Sequence, residues 1–395
     1  MLILVCNAGS TSLKFKLLDM PVEQVLCEAK LERVGSLKDA IFEYKNLILG
    51  KSVKEINLNI PDYEKGIERF IEVLTDKEIG NINALKEISK IGFKTVLAKG
   101  YQDVHVINED VINAMEEMIP LAPVHNRAYV EAVRVMKRKF PKAVMVGAFE
   151  TSFHKTIPKE RKVYGVPYEW YEKFDLYRRG YHGASHRYIA EILNRKRVQY
   201  RAISCHLGGS SSICAIRNGE SVDSSFGLTV QTGLIHANRV GDMDCDLLPY
   251  LQSCGLSEME ITEGMTKKGG LYGISGVSGD LRYIEKAADE GNERAQLAMD
   301  AYVYGIVKYI GAFYAVLGGL DYLVFTGGIG ENSVSIRKEV CSRLQHLGES
   351  LSKEKNECNT QGVLSSEDAS VQVYMIHANE ELCVARCAYR CDAKS

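Results

Sequence analysis

The chain has 395 residues, 46% of them hydrophobic and 25% charged, with a formal net charge of -2. This is the composition of a globular enzyme of two or three domains, and the near balance of charge gives no electrostatic reason to expect nucleic acid or an anionic membrane as partner. The 11 cysteines are odd in number and form no CxxC pair, which excludes a zinc ribbon and argues for free thiols in a reducing compartment.

The apolar run Leu2-Ile3-Leu4-Val5 leads, without a basic targeting segment, into CNAGSTS at Cys6 to Ser12 and a second apolar stretch, Leu13 to Leu17. Two strands joined by a Gly/Ser turn present backbone N–H groups that suit an anion, phosphate above all. Residues 25 to 34 and 40 to 58 are β-rich. Pro61-Asp62 opens a helix over Tyr63 to Leu74, with Ile67, Phe70, Ile71 and Leu74 on one stripe. Gly92 to Ala98 is expected as a short strand; a helix starts at Asn108, breaks at Pro123 and resumes from Ala128 to Phe140. Ala143 to Phe149 is a continuous apolar run, the pattern of a buried parallel strand. Glu150 ends it, where α/β proteins face their ligands.

His186 to Leu193 is expected as helix, and Arg195-Lys196-Arg197 as its solvated end. At Cys205 to Ser211 the chain reads CHLGGSS, which falls in register on the first motif: Cys6 meets Cys205, Gly9 meets Gly208 and Ser12 meets Ser211. One Gly/Ser turn is ordinary hairpin chemistry; two in register suggest two half-molecules gripping one polyphosphate. Asn218-Gly219 marks a further hairpin. After a Gly-rich region comes a long helix, Glu293 to Leu317, apolar on most sides and so expected to be buried. Leu323-Val324-Phe325 then runs into Thr326-Gly327-Gly328-Ile329-Gly330-Glu331-Asn332, a turn whose glycines let backbone press against base and sugar while the next helix offers its N-terminus. No GxxxxGK[ST] occurs, so this is not a P-loop.

Val334 to Leu347 is helical, Val371 to Ile376 is the last strand, and a terminal helix follows Ala378-Asn379-Glu380-Glu381. Cys383, Cys387 and Cys391, four apart, are expected as thiols on one half-buried face of it rather than a soft-metal site. The most apolar window, Tyr309 to Phe325, is cut by Asp321 and several glycines, so no membrane span is expected and the location should be cytoplasmic. Strands and helices alternate in both halves, which predicts an α/β architecture of duplicated domains, residues 1–147 plus 380–395 and residues 148–379.

Polar residues gather around the Gly-rich turns. Asn7 and Lys14 flank the first hairpin and His206 opens the second; Arg239 lies in a turn-rich stretch from His236 to Asp242. His182 stands between glycines and can reach into a cleft. His182 and His186 are spaced as a metal pair, but no carboxylate completes an HExxH pattern, and a charge-stabilising role is preferred.

The set CNAGSTSLKF, FETSFHKTIP, YRRGYHGASH, CHLGGSSSICAI, NRVGDMD, FTGGIGENS and ANEELCVAR resembles the acetate kinase family, in order and over nearly the whole chain. The resemblance implies two ribonuclease H-like domains of the sugar kinase, heat-shock ATPase and actin superfamily with a nucleotide cleft between them. It also implies reversible, Mg²⁺-assisted phosphorylation of acetate by ATP in a homodimer. By position it makes Asn7 and Glu380 the metal partners and Lys14 an ATP contact. His206, Leu207, Gly208, Gly209 and Ser210, then Asp280, Leu281 and Arg282, then Gly328, Ile329, Gly330, Glu331 and Asn332 would hold the nucleotide. Glu150, His182 and Arg239 would be catalytic, and Lys94, Val96, Val124, Tyr181 and Val230 would bind the acid.

The departures bear on the acid. The family's IGHRVVHGG is IGFKTVLAK here, so its substrate-gripping arginine becomes Lys94 and loses the bidentate fork that fits a carboxylate. The family's active-site aspartate becomes Glu150, its Asn-Gly becomes Gly209-Ser210, and its pocket proline becomes Val230. The expected function is therefore a divergent short-chain carboxylate kinase with acetate as default. Propionate, butyrate, a hydroxyl metabolite with Glu150 as base, and a catalytically weak nucleotide-binding paralogue are the alternatives.

Overall fold

The computed structural model describes residues 1–392, apart from the side chains of Pro123 and Val124. The chain divides into two compact units, Met1–Ser152 with Asn379–Ser395, and Phe153–Ala378. The first boundary falls beyond Glu150 because the backbone N–H of Glu150 is bonded back to the Thr95 carbonyl at 2.8 Å.

The first unit is built on eight strands: β1 (Leu2–Gly9), β2 (Ser12–Asp19), β3 (Gln24–Glu32), β4 (Ser36–Asn46), β5 (Lys51–Ile60), β6 (Ile88–Phe93), β7 (Val104–Val106) and β8 (Val144–Ala148). Their order is β5-β4-β3-β2-β1-β6-β8-β7. The second unit has six: β9 (Arg201–His206), β10 (Ser212–Arg217), β11 (Glu220–Ser224), β12 (Tyr322–Thr326), β13 (Gly362–Val363) and β14 (Gln372–Met375), in the order β11-β10-β9-β12-β14-β13. The five strands β3-β2-β1-β6-β8 and β11-β10-β9-β12-β14 share one plan: an antiparallel meander of three, then two strands parallel to the first. This is a duplicated α/β sheet plan, as the ribonuclease H-like expectation requires.

The central strands follow their composition. Ile3, Leu4, Val5 and Cys6 of β1 are all buried, as a strand covered on both faces requires. On β2, buried Leu13, Phe15 and Leu17 alternate with the more exposed Lys14 and Lys16. The two Gly/Ser turns differ, however. β1 and β2 close over the two residues Ser10 and Thr11, with Gly9 opposite Ser12, whereas His206 pairs with Ser212 across a five-residue loop from Leu207 to Ser211.

Several elements depart from expectation for identifiable reasons. The strand expected at Gly92 to Ala98 lies earlier, at Ile88–Phe93, because its ladder with β1 and β8 ends at Phe93; Lys94 to Leu97 form an irregular segment beyond it. The helix capped by Asn108 ends at Glu117, so the expected break is present, but the next helix, Pro123–Lys139, starts at Pro123 rather than Ala128, with proline as its first residue, where the missing N–H costs nothing. The helix expected from His186 begins at Gly183, with His182 as a left-handed cap. Glu293–Leu317 is a helix over the full expected range, yet only one face is buried; Leu297 and Tyr304 are exposed. Cys383 and Cys387 are buried as expected, while Cys391 lies past the last helical turn. Among the described residues, no helix is long and apolar enough to cross a membrane.

The terminal helix Glu380–Arg390 is the element that most directly positions a functional group. Asn379 caps its start, its side chain accepting from Leu382 N–H at 3.2 Å, so Glu380 sits in the first turn. At the other end the Lys90 ammonium of β6 donates to the carbonyls of Ala388, Tyr389 and Cys391 at 3.0, 3.2 and 2.6 Å, satisfying the open end of the helix. Between the two ends the helix lies so close to β6 that a Cβ on Gly92 would stand 2.8 Å from Val384 Cγ1. Gly92→Val is therefore expected to destabilise the fold by about 1–3 kcal/mol through overpacking. Urea unfolding measures it; a midpoint equal to that of the unsubstituted chain would contradict the packing described.

Candidate active site

In the first unit, three distant segments deliver charge to one place. Lys94 leaves the end of β6, Glu150 follows β8, and Glu380 opens the terminal helix. The Lys94 ammonium donates to Glu380 Oε2 at 2.8 Å and lies 4.0 Å from Glu150 Oε1, with only 20%, 18% and 6% of the respective side chains exposed. Burial alone would lower the Lys94 pKa; the Glu150 and Glu380 carboxylates outweigh it and hold the ammonium well above the ordinary range. Tyr129, from the helix Pro123–Lys139, donates its hydroxyl to Asn7 Oδ1 at 2.7 Å and feels the charges of Lys94, Glu150 and Glu380. Burial, with Lys94 opposing, keeps that phenol protonated.

The backbone beneath this cluster is pinned. Asn126, fully buried, donates to the carbonyls of Leu97 and Met115 at 2.8 Å each and accepts from Leu97 N–H at 3.2 Å. The Glu150–Thr95 backbone bond ties the same segment to the end of β8. Val96 is buried beside Thr95; the side chain of Val124 lies outside the described residues. Lys14, opposite Asn7 in the β1–β2 ladder, is exposed and lines a separate cavity of about 300 Å³ with Lys16, Lys30 and Glu381.

The second unit holds a larger cavity of about 810 Å³. Gly208, Gly209, Asp280, Leu281, Arg282, Gly328, Ile329 and Asn332 line it, joined by Asn238, Gly279, Glu285 and Ser333. Its size suits a nucleotide. Gly327 is the residue that lets two loops meet there: its φ is +78°, and a Cβ would stand 2.8 Å from the Leu207 carbonyl oxygen. Leu207 itself is buried, and its carbonyl accepts from Ile329 and Gly330 N–H at 2.8 and 3.1 Å. Glu331 points elsewhere: Oε1 accepts from the N–H groups of Gly327 at 2.9 Å and Ala378 at 2.8 Å, and Oε2 meets His377 Nδ1 at 2.7 Å. It holds the turn in place. Ser210 is half-buried and lies outside the cavity lining.

A set of histidines adjoins the second Gly/Ser loop. His182 caps the helix Gly183–Asn194 at φ 57°, a left-handed conformation uncommon for a side-chain-bearing residue, and its ring stands 4.2 Å from that of His206. His182 Nδ1 and His186 Nε2 each lie 2.9 Å from Ser212 Oγ. One hydroxyl proton can go to only one of them, so the tautomers of the two rings are tied together. His206 Nδ1 lies 2.8 Å from Ser185 Oγ. Phe226 touches His182 edge-on at 5.3 Å and stacks on His236 at 5.5 Å. His236 Nδ1 accepts from Ser211 N–H at 3.0 Å, which places its proton on Nε2, facing the Thr232 carbonyl at 3.3 Å.

His236 also bonds by its backbone to Arg239, as Ala237 does to Gly209, so the arginine's turn and the Gly-rich loop form one piece. Arg239 is half-buried and donates Nη1 to the Val230 carbonyl. Among the described residues no carboxylate pairs with it, and burial pulls its pKa down to about 10. Tyr181 is buried, edge-on to Phe226, and donates to the Leu228 carbonyl at 2.6 Å.

Tyr129, Asn126, His236 and Glu285 were invisible as site residues in the sequence. Asn126 and Tyr129 sit three apart in the first turns of Pro123–Lys139, and a helix read only from Ala128 hides the face they share. Glu285 accepts from Ser333 Oγ at 2.7 Å, a pairing across 48 residues that no local pattern reveals.

Three histidines of this unit are fully buried and neutral: burial takes His154 down to about 4 and His236 to about 3, and holds His186 well below 6.5. The unfolded chain takes up their protons near pH 6.5 and the folded chain does not, so stability is full above that pH and falls as the pH drops toward 4. The expected loss is about 1.4 kcal/mol per pH unit per histidine. Urea midpoints measured across that range should show it, with His154→Gln lessening the slope by one histidine's share; a flat profile would contradict the buried, neutral assignment.

Comparison with known proteins adds the lineage. The model of the acetokinase family matches residues 2–386. The acetate kinase of Dictyoglomus thermophilum is 42% identical, over 98% of each chain. Among solved structures, acetate kinase from Porphyromonas gingivalis superposes with a TM-score of 0.89 at 37% identity over 98% of each chain. A propionate kinase from Francisella tularensis does so with a TM-score of 0.91 at 32% identity, over 99% of this chain and 100% of its own. The chain belongs to the acetokinase family.

Proposed function

We propose that this acetokinase-family chain transfers the γ-phosphoryl group of ATP, reversibly, to a short-chain carboxylate, giving ADP and an acyl phosphate, with acetate as the default acid. The observation that carries the reading is Arg239: a half-buried guanidinium that donates to the Val230 carbonyl and, among the described residues, meets no carboxylate, on the same backbone piece as the Gly-rich loop of the nucleotide-sized cavity. A desolvated cation without a counter-ion favours an incoming anion, and a phosphoryl group supplies one. Propionate is the second acid to consider, because a solved relative sharing 32% of the sequence is a propionate kinase.

The chemistry asks little beyond placement and charge. A carboxylate is ionised at neutral pH, so it attacks phosphorus without a general base. Arg239 and His182 offset the charge that develops on the equatorial oxygens, and the cavity from Gly208 to Asn332 holds the nucleotide. Lys94 holds the acid's carboxylate, and Val96, Tyr181 and Val230 are the further acid-binding residues proposed from the family pattern. Glu150 faces Lys94 and keeps the ammonium in place.

Among the described residues no cluster of three or more His, Cys, Asp or Glu could hold a metal alone. Mg²⁺ takes one or two protein oxygens and completes its shell with water and phosphates. Glu380 and Asn7 offer a carboxylate and an amide oxygen, and the Lys94 ammonium already rests on Glu380 as a cation. When bound, Mg²⁺ supplies positive charge against the phosphate oxygens. Family membership also supports a homodimer, and eleven cysteines with no CxxC pair support a cytoplasmic setting.

Purified protein with ATP, Mg²⁺ and hydroxylamine should trap an acyl phosphate as its hydroxamate, most strongly with acetate or propionate. No hydroxamate from any short acid, with nucleotide binding intact, would overturn the reading in favour of a nucleotide-binding paralogue. Arg239→Ala should lower kcat by about 10²–10³ and leave ADP affinity unchanged, as loss of a transition-state donor does; loss of ADP binding alone would contradict its role. Lys94→Arg should lower the KM for acetate by restoring the fork, and an unchanged KM would count against Lys94 as the carboxylate contact.

A further inference from the structure

Lys94 holds the carboxylate that the metal needs. Its ammonium is 2.8 Å from Glu380 Oε2, mostly buried, and its other carboxylate neighbour, Glu150, is at 4.0 Å. A buried ammonium does not stay without an anion at close range. We propose that Lys94 is the resting counter-ion of Glu380, displaced when a divalent metal takes that carboxylate, and that the displaced ammonium then captures the substrate carboxylate, so that metal and acid bind cooperatively. This rests on the reading above, in which Glu380 serves the metal and Lys94 the acid.

The surroundings favour movement of the side chain alone. Asn126 clamps Leu97, and the Thr95 carbonyl is bonded to Glu150 N–H, so the backbone on which Lys94 stands is fixed. The four-carbon stem of lysine is flexible and its head is a compact point charge. Tyr129, locked onto Asn7, is protonated and offers no competing negative charge. When a metal occupies Glu380, the ammonium keeps only Glu150, at the longer distance, and an entering carboxylate completes its pairing. In the empty site an entering acid must instead compete with Glu380 for the same ammonium.

The coupling follows from lysine being at this position. An arginine presents five donors in a fork and can hold Glu380 with one arm while the other takes the acid. A lysine in a buried site serves one close carboxylate at a time. Coupling between sites is reciprocal: whatever factor the metal contributes to acid binding, the acid contributes to metal binding.

Mn²⁺ binding to the enzyme–ADP complex, followed by electron paramagnetic resonance with and without saturating acetate, tests this without turnover. For the unsubstituted enzyme acetate should tighten Mn²⁺ about tenfold, and Mn²⁺ should tighten acetate by the same factor in calorimetry. Lys94→Met should bind Mn²⁺ more tightly than the unsubstituted enzyme and show no coupling. Lys94→Arg keeps the charge, so simple repulsion would leave the coupling intact; the proposal expects it to shrink to about twofold. Full coupling in Lys94→Arg, or no gain in Mn²⁺ affinity in Lys94→Met, overturns the proposal while leaving the metal at Glu380. Glu380→Gln separates the two failures: if it binds Mn²⁺ as the unsubstituted enzyme does, the metal assignment falls and the proposal with it.

Discussion

A buried ammonium that must be paired organises the first unit. Lys94, Glu150 and Glu380 come from positions up to 286 residues apart, and their charges meet where two parallel strands end and a helix begins. Neither carboxylate nor ammonium tolerates burial alone. The terminal helix must therefore present its first turn to Lys94, and the devices that aim it follow: the Asn379 cap, the Lys90 ammonium at its far end, and a glycine at position 92 where helix and strand touch. Electrostatics sets the destination, and packing holds the helix to it.

The second unit solves the opposite problem. Arg239 is withdrawn from water and given one backbone carbonyl, so its charge stays available to an incoming anion. His186 and His236 are neutral because burial makes them so, with Arg239 adding its repulsion at His236 and the neighbouring histidines theirs at His186. Positive charge is thus concentrated on a residue that can meet phosphate, and kept off the scaffold behind it. The same sheet plan underlies both units, yet one keeps its cation paired and the other leaves its cation open. That difference fits the proposed division of labour between acid and metal on one side and nucleotide on the other.

Much of this was legible in the sequence, and the exceptions have physical causes. The helices Tyr63–Leu74 and Glu293–Leu317 keep their expected limits because caps and apolar spacing agree at both ends. The apolar, buried Val96, Leu97 and Ala98 pull the expected strand toward Ala98, yet Leu97 is held by the Asn126 side chain and none of the three joins the ladder of Ile88–Phe93. The break before Pro123 is real, but the start of the next helix lies at Pro123 rather than Ala128 because proline suits the first turn of a helix. The repeated Gly/Ser motif did mark two equivalent strand pairs, but one turn has two residues and the other five, a difference that pairing sets and composition hides. Lys94 and Glu150 stood out as departures from a familiar pattern. That Lys94 rests on Glu380 needed coordinates, because nothing local links residue 94 to residue 380.

The central claim is that the acid's carboxylate attacks phosphorus directly, with the protein supplying charge and position and no covalent relay through Glu150. The stereochemical course at phosphorus tests this most directly: ATP made chiral at its γ-phosphorus with oxygen isotopes is turned over with acetate, and the configuration of the acyl phosphate is determined. One in-line displacement predicts inversion. Net retention would mean two displacements, with a phosphorylated side chain between them, and would contradict the account.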